Sequence, residues 1–315
     1  METELLGTLG RTYRDGLLQA LEGVDRVLWI DFPDHANIGD SAIFLGQMAA
    51  TADRTFEKSA VLPIRAATAR TLARAAEKGF VPVLEGGGFF GGMYEPNDHL
   101  RKTVASAFSH GRVVQAPQSV AVTNKPLMEE VAISLREVKD LRLFVRDQAS
   151  VETLQGWGLE PMLLPDAAHC LGALPAPSPV ERVVLLARED SESRGTALPD
   201  DIRTVDWPRE RQTARRLRQA MAEVAGRTGV IGLPFDYESI ARQRLNKGLQ
   251  ILSRGEVVIT DRLHAMILGL HLGRRVIAID NSLQKLRRYH QTWLSSLPNE
   301  SLTLVDSFSE AIEHV

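Results

Sequence analysis

The chain has 315 residues, 44% of them hydrophobic and 24% charged, with 37 Lys+Arg against 40 Asp+Glu and a formal charge of −3. At roughly 100–200 residues per domain, that length is expected to hold two domains. This composition excludes extensive disorder and a general nucleic-acid coat, and Cys170, standing alone, excludes an intrachain disulfide and a Cys-rich zinc site. The acidic start Met1-Glu2-Thr3-Glu4 lacks the basic and apolar regions of a secretion signal, and no apolar run approaches the ~18–20 residues of a membrane span. A cytoplasmic location is therefore expected.

In chain order, Val27–Ile30 reads as a strand, followed by a polar turn and a helix from about Asp40. Phe80–Leu84, Arg112–Gln115 and Leu141–Val145 read as further strands, and Asp147–Gly156 as a helix. Leu174–Pro179 holds three prolines in six residues, which stops both helix and central strand and marks a linker. The pattern then restarts with strands at Val183–Ala187, Gly229–Leu233, Glu256–Thr260 and Arg275–Ile279. A helix over Glu210–Ala225 lies between the first two of these. A last helix is expected around Ser307–His314. Apolar runs buried on both faces and separated by helices imply βαβ units and parallel sheets. The expected organisation is one Rossmann-like domain over 1–174 and a second over 180–315, with the last helix crossing back to the first. A ligand site belongs in the cleft between them, at the carboxyl ends of the strands.

The segment Val257–Asp280 carries the most chemistry. A helix beginning at Asp261-Arg262-Leu263-His264 directly after a strand, with Gly273 as its stop, sets Arg262 and His264 in the first turn. Free N–H groups and the dipole attract anions there, so the two side chains suit a phosphate or carboxylate. The alternative makes Arg262 a surface residue and His264 a packing one. His271 lies two turns further on and reads as packing. Arg188 follows a strand directly and is a second anion candidate. Arg146-Asp147 has the same placement and is as well suited to fastening loops.

Two glycine-bearing turns stand out. Asn37-Ile38-Gly39-Asp40 opens a helix. Glu85 is followed by Gly86-Gly87-Gly88 and by Gly91-Gly92, more glycine than packing ordinarily needs. Neither fits a dinucleotide fingerprint or a P-loop. Metal-binding His or Cys spacings and a Gly-x-Ser-x-Gly elbow are lacking, so no metal is expected. The basic stretch from Asn281 through Lys285 to Arg288 follows the last predicted strand and could close over the cleft.

Taken in order, Asn37–Asp40, Gly86-Gly87-Gly88, Val145-Arg146-Asp147, Leu164-Pro165-Asp166, Arg188, Asp261-Arg262-Leu263-His264, and Asp280-Asn281 with Lys285 resemble the polysaccharide pyruvyl transferase family. The resemblance implies a GT-B-like pair of Rossmann-type domains. It implies transfer of pyruvate from phosphoenolpyruvate onto two hydroxyls of a sugar, giving a cyclic ketal and phosphate, in exopolysaccharide or cell-surface glycan synthesis. Phosphoenolpyruvate is the donor substrate and no cofactor is implied. The acceptor would be a sugar or a lipid-linked oligosaccharide, which allows peripheral contact at the inner face of the membrane. On this reading Arg188, Arg262, Lys285 and Asn281 hold the donor, and His264 beside Arg262 is the general acid. Asn37, Gly39, Asp40, Gly86, Gly87, Gly88 and Arg146 form the acceptor side or its loops. A nucleotide-sugar glycosyltransferase is the alternative enzyme, disfavoured because no Glu occurs between Glu256 and Glu300 to complete a Glu-x7-Glu pair. A non-catalytic sugar- or anion-binding protein is the alternative from another class.

Overall fold

The computed structural model describes residues 2–35, 37–188, 204–208, 212–280 and 283–315. Strands β1 (Arg26–Ile30), β2 (Lys58–Leu62), β3 (Val81–Leu84), β4 (Gly87–Phe90), β5 (Arg112–Val120), β6 (Asp140–Val145) and β7 (Met162–Leu163) belong to one sheet. Its order is β2-β1-β3-β5-β6-β7, and β4 pairs with β5 beyond the end of β3. Strands β8 (Glu181–Leu186), β9 (Thr204–Val205), β10 (Gly255–Thr260), β11 (Arg275–Ile279) and β12 (Leu302–Val305) form a second sheet in the order β12-β11-β10-β8-β9. Every ladder in both sheets is parallel. The α/β class with two Rossmann-like parallel sheets thus holds. The central strands are buried on both faces, as β1, β10 and β11 show, which is why each reads as a continuous apolar run.

Residues 172–180 connect the sheets without regular structure. The two halves nevertheless share one core. Phe32, Ile38 and Phe44 from the first half pack with Tyr237, Leu245, Met266 and Tyr289 from the second. The Phe32 and Tyr237 rings lie 4.4 Å apart at their centroids. A charged tie runs beside this core: Asp34 Oδ1 accepts hydrogen bonds from Arg218 Nη2 at 2.8 Å and Arg244 Nη2 at 3.2 Å. All three side chains are largely buried.

Three expectations are corrected. Gly229–Leu233 is not a strand, because Gly229 and Gly232 adopt left-handed φ of +72° and +82° and break extended pairing. Ile231 and Leu233 of that segment pack instead against the core of the first half. The position beside β8 is taken by β9. The last helix, Phe308–Glu313, does not cross back; Phe308 and Ala311 pack under the second sheet against Leu185 and Ile277. The return contact comes from the segment Lys285–Leu294, where Trp293 Nε1 donates to the Arg146 carbonyl at 2.8 Å. The third correction concerns the glycine turn, where Gly87–Phe90 forms the strand β4.

Removing one member of a buried ion network leaves charge without its counterpart, which costs about 3–5 kcal/mol. Asp34→Ala is therefore expected to lower the unfolding free energy by that amount in a denaturant titration. Asp53→Ala, which breaks a solvent-exposed pair with Arg14, should cost about 1 kcal/mol or less. Equal effects would contradict the role given to Asp34.

Candidate functional site

Three strand ends of the first half bring acidic side chains to one place. Asp31 follows β1 at φ +78°, a turn that few non-glycine residues adopt. Glu85 follows β3, and its peptide is clamped: its N–H donates to the Ile30 carbonyl at 3.1 Å. Its own carbonyl accepts from Gln115 Nε2 at 2.9 Å and Gln118 Nε2 at 2.8 Å. Asp166 follows β7 and caps the helical turn Ala167–Leu171 through Ala168 N–H.

Strands β8 and β10 of the second half supply arginines and a histidine. Thr260 Oγ1 at the end of β10 donates to the Leu186 carbonyl at 2.7 Å and accepts from Arg262 N–H at 3.1 Å. Asp261 Oδ1 accepts from the Arg188 N–H at 2.9 Å, which ties the end of β8 to the same turn. Burial raises the Asp261 carboxyl to about 6 despite the donated N–H and the nearby Arg262 and Arg188. The helix Leu263–His271 starts two residues later than the sequence suggests, with Arg262 preceding it. The Arg262 side chain does not cap that helix; its Nη2 lies 2.6 Å from Asp206 Oδ1.

These elements enclose a cavity of about 590 Å³. Of the residues singled out in the sequence, Asn37, Asp40, Gly88, Arg146, Arg188, Arg262, His264 and Lys285 line it. Asn281 lies outside the described residues. Gly39, Gly86 and Gly87 do not line the cavity. Gly86 and Gly87 serve the backbone, since a Cβ at Gly86 would sit 2.8 Å from the Pro117 carbonyl oxygen and Gly87 has φ +141°. Asn37 caps the helix Ile38–Ala50 by accepting from Gly39 N–H at 3.1 Å, and its Nδ2 donates to Asp40 Oδ2 at 2.8 Å.

Gly39 and Gly88 are required by close approach. A Cβ at Gly39 would lie 2.2 Å from His264 Nδ1, so the imidazole rests on bare backbone. A Cβ at Gly88 would fall 2.8 Å from Arg146 Nη2 and 2.9 Å from Lys285 Nζ. Lys285 Nζ donates to the Gly88 carbonyl at 2.8 Å. The Arg146 and Lys285 cations therefore converge on one glycine.

Asp166 joins the two sets. Its Oδ2 lies 2.7 Å from Arg146 Nη1 and 3.2 Å from His264 Nε2. Burial works to raise this carboxyl, but the His264 and Arg146 charges and the Ala168 N–H hold it far below the usual carboxylate range. Beneath it, Tyr289 Oη accepts from Asp166 N–H at 2.9 Å and lies 2.9 Å from His169 Nε2. His169 Nδ1 lies 2.9 Å from His271 Nε2, so His271 is a buried, hydrogen-bonded packing residue. Burial lowers His169 to about 3 and His271 to about 4, which keeps both neutral.

Sequence reasoning passed over Asp31, Glu85, Asp206 and Trp207, all of which line the cavity. The signal available for Asp31 and Glu85 was their position directly after strands of a parallel sheet, where ligands bind in such folds.

The family model described as polysaccharide pyruvyl transferase matches residues 37–282. The chain belongs to the polysaccharide pyruvyl transferase family. It is 28% identical to pyruvyl transferase 1 of Schizosaccharomyces pombe, over 92% of this chain and 75% of that one. It is 27% identical to EpsO of Bacillus subtilis, provisionally named a pyruvyl transferase, over 91% of each chain. A crystal structure of a Klebsiella pneumoniae protein of unassigned function superposes with a TM-score of 0.61, covering 93% of this chain and 97% of that one at 16% identity. That likeness shows the fold. Among the described residues no helix is long and apolar enough to cross a membrane.

The seat of His264 on Gly39 can be measured. Gly39→Ala forces a methyl group into the ring and should cost about 1–3 kcal/mol of stability. Gly39→Ala in a His264→Gly background should cost less, because both the ring and the His264 Cβ, 2.8 Å from the new methyl, are gone. A denaturant double-mutant cycle checks this; equal penalties in both backgrounds would show that His264 does not rest on Gly39.

Proposed function

We propose that this pyruvyl transferase takes pyruvate from phosphoenolpyruvate and places it on two hydroxyls of a sugar as a cyclic ketal, releasing phosphate. The acceptor is a sugar or a lipid-linked oligosaccharide of a surface glycan. The observation that supports the reading is that His264, held by Asp166 behind it, lines a cavity that Arg188, Arg262 and Lys285 also line. Phosphoenolpyruvate crowds a phosphate and a carboxylate onto three carbons. Its binding needs several cations at short range, and guanidinium groups match such oxygens two at a time.

The chemistry needs a proton delivered to C3 of the enol. The C2=C3 electron pair takes it, leaving positive charge on C2, where a sugar hydroxyl attacks. His264 is the donor of that proton in this reading. Its ring cannot turn freely, because Gly39 lies under one part of it and Asp166 engages Nε2. Asp166 remains a carboxylate throughout and orients the imidazole rather than exchanging protons with substrate. After C3 is protonated, the same imidazole is placed to accept the proton of the first attacking hydroxyl. Arg262 and Arg188 hold the donor anion while this occurs, with Arg262 exchanging part of its contact with Asp206.

Two variants separate binding from chemistry. Arg262→Ala should weaken phosphoenolpyruvate binding by about 2–5 kcal/mol in calorimetry, the usual cost of losing one member of a desolvated charge pair. His264→Gln should keep most of the donor affinity and lose about 10²–10⁴ in the rate of phosphate release. Wild-type donor binding by Arg262→Ala, or near wild-type turnover by folded His264→Gln, would contradict the assignment of the residue concerned.

A further inference from the structure

Asp31, Asp40 and Glu85 line the cavity with no task in the mechanism above; Asp31 and Asp40 accept hydrogen bonds from Asn97 and Asn37, which leaves Glu85. It is 5% exposed, and its Oε1 is buried without a hydrogen-bond partner among the described residues. Leaving such an oxygen unmatched is costly unless a ligand completes it. The surrounding backbone is unusually well fixed. The Glu85 peptide is bonded on both sides, to β1 through its N–H and to two glutamines of β5 through its carbonyl. A side chain carried on so rigid a peptide and lining the cavity is held ready rather than left over.

We infer that Glu85 is a second catalytic proton carrier, giving its proton to the phosphate oxygen as that oxygen leaves C2 and taking the proton of the second attacking hydroxyl. This rests on the phosphoenolpyruvate-dependent ketal reading above. The proton balance of that reaction asks for such a group. Two sugar O–H bonds break in a turnover. One proton must end on C3 and one on the departing phosphate. His264 serves the first half: it gives a proton to C3 and receives one from the first hydroxyl as the first O–C2 bond forms. The C2–O bond to phosphate then breaks with its electron pair on the phosphate oxygen, and the Glu85 acid protonates that oxygen. The second hydroxyl attacks C2, its O–H bond breaks, and the Glu85 carboxylate takes the proton. Both carriers finish as they began, and the products are the ketal carboxylate and hydrogen phosphate.

The charge environment suits an acid at rest. Burial, and then the carboxylates of Asp31, Asp40 and Asp166, push Glu85 well above the usual carboxylate range. Of the basic groups around that wall, His35 lies 3.4 Å from Asp40 Oδ2 and Arg101 opposes the rise at Asp31, while Arg146 is engaged with Asp166 and Lys285 with the Gly88 carbonyl. Asp166, behind the cavity, is thus held toward its anion while Glu85, on the wall, is pushed toward its neutral acid, a division that marks acid–base roles in neighbouring groups.

The test uses the full chain and the variants Glu85→Gln and Glu85→Asp. Because the resting acid is neutral, isosteric Glu85→Gln should melt at the wild-type temperature. Infrared spectra at about pH 8, where Asp31 and Asp261 with values near 6 are ionised, should show a protonated-carboxyl band in the wild type that Glu85→Gln lacks. Glu85→Gln should bind phosphoenolpyruvate within about twofold of wild type and release phosphate about 10²–10⁴-fold more slowly. The acceptor probes are the methyl glycosides of galactose, glucose and mannose. Glu85→Asp, which keeps an acid, should retain the band and recover part of the rate; it also serves if Glu85→Gln fails to fold. Wild-type turnover by Glu85→Gln, or a carboxyl band that survives in it, overturns the inference and leaves the donor reading standing. A wild-type protein that does not bind phosphoenolpyruvate overturns the donor reading itself, and the proton role falls with it.

Discussion

A single buried carboxylate, that of Asp166, sets the geometry of the cavity. Its Oδ2 faces Arg146 of the first half and His264 of the second at once. A carboxylate so far from water is tolerated only when its lone pairs are matched. Asp166 meets that condition with a guanidinium, an imidazole and a backbone N–H. Its own peptide N–H is matched too, by the Tyr289 hydroxyl. The return segment Lys285–Leu294 supplies that tyrosine, and its Trp293 bonds the Arg146 carbonyl. The same contacts that satisfy Asp166 therefore fasten the two halves around the cavity.

From this constraint follows a segregation of charge. Arg262 and Lys285 are held by the Asp206 carboxylate and the Gly88 carbonyl, which a ligand need not displace entirely, and the Arg188 main chain is tied to Asp261. Cations already fixed in direction lose little freedom on meeting an anion, which favours a small, highly charged donor. The opposite wall is acidic. Burial raises Asp31 to about 6, with Asp40 adding to the rise, while His35, Arg101 and the Asn97 amide oppose it. Glu85 is raised further in the same surroundings. A wall of carboxyl groups suits the hydroxyls of a sugar, which can both donate to and accept from them.

The strands legible in the sequence were those buried on both faces. β1, β3, β8, β10 and β11 carry continuous apolar runs, and β5 and β6 carry shorter ones, Val113-Val114 and Leu143-Phe144-Val145. The edge strands β2 and β12 are half-buried, and β7 and β9 are two residues each, so none presents such a run. Gly229–Leu233 has the composition of a strand, yet two left-handed glycines turn it into a connector whose apolar side chains serve the core of the other half. Arg262 and His264 could be read as site residues because the strand end and helix start lie within a few positions of each other. Glu85 and Asp31 could not be weighed in the same way. What makes them unusual is their mutual proximity and burial, and that arises from β1 and β3 lying side by side across more than fifty residues of chain. Asp166 was visible within its motif, but its partnership with His264 spans 98 positions and belongs to the tertiary fold.

In the proposed reaction Asp166 orients His264 for proton transfer. The most direct measurement is phosphate release by Asp166→Asn beside phosphoenolpyruvate calorimetry on the same folded sample. Asparagine keeps an oxygen for the Ala168 N–H but loses the charge that faces the imidazole. Donor binding is expected to stay within several-fold of wild type and phosphate release to slow by about 10²–10⁴. Folded Asp166→Asn that releases phosphate at the wild-type rate would contradict that role.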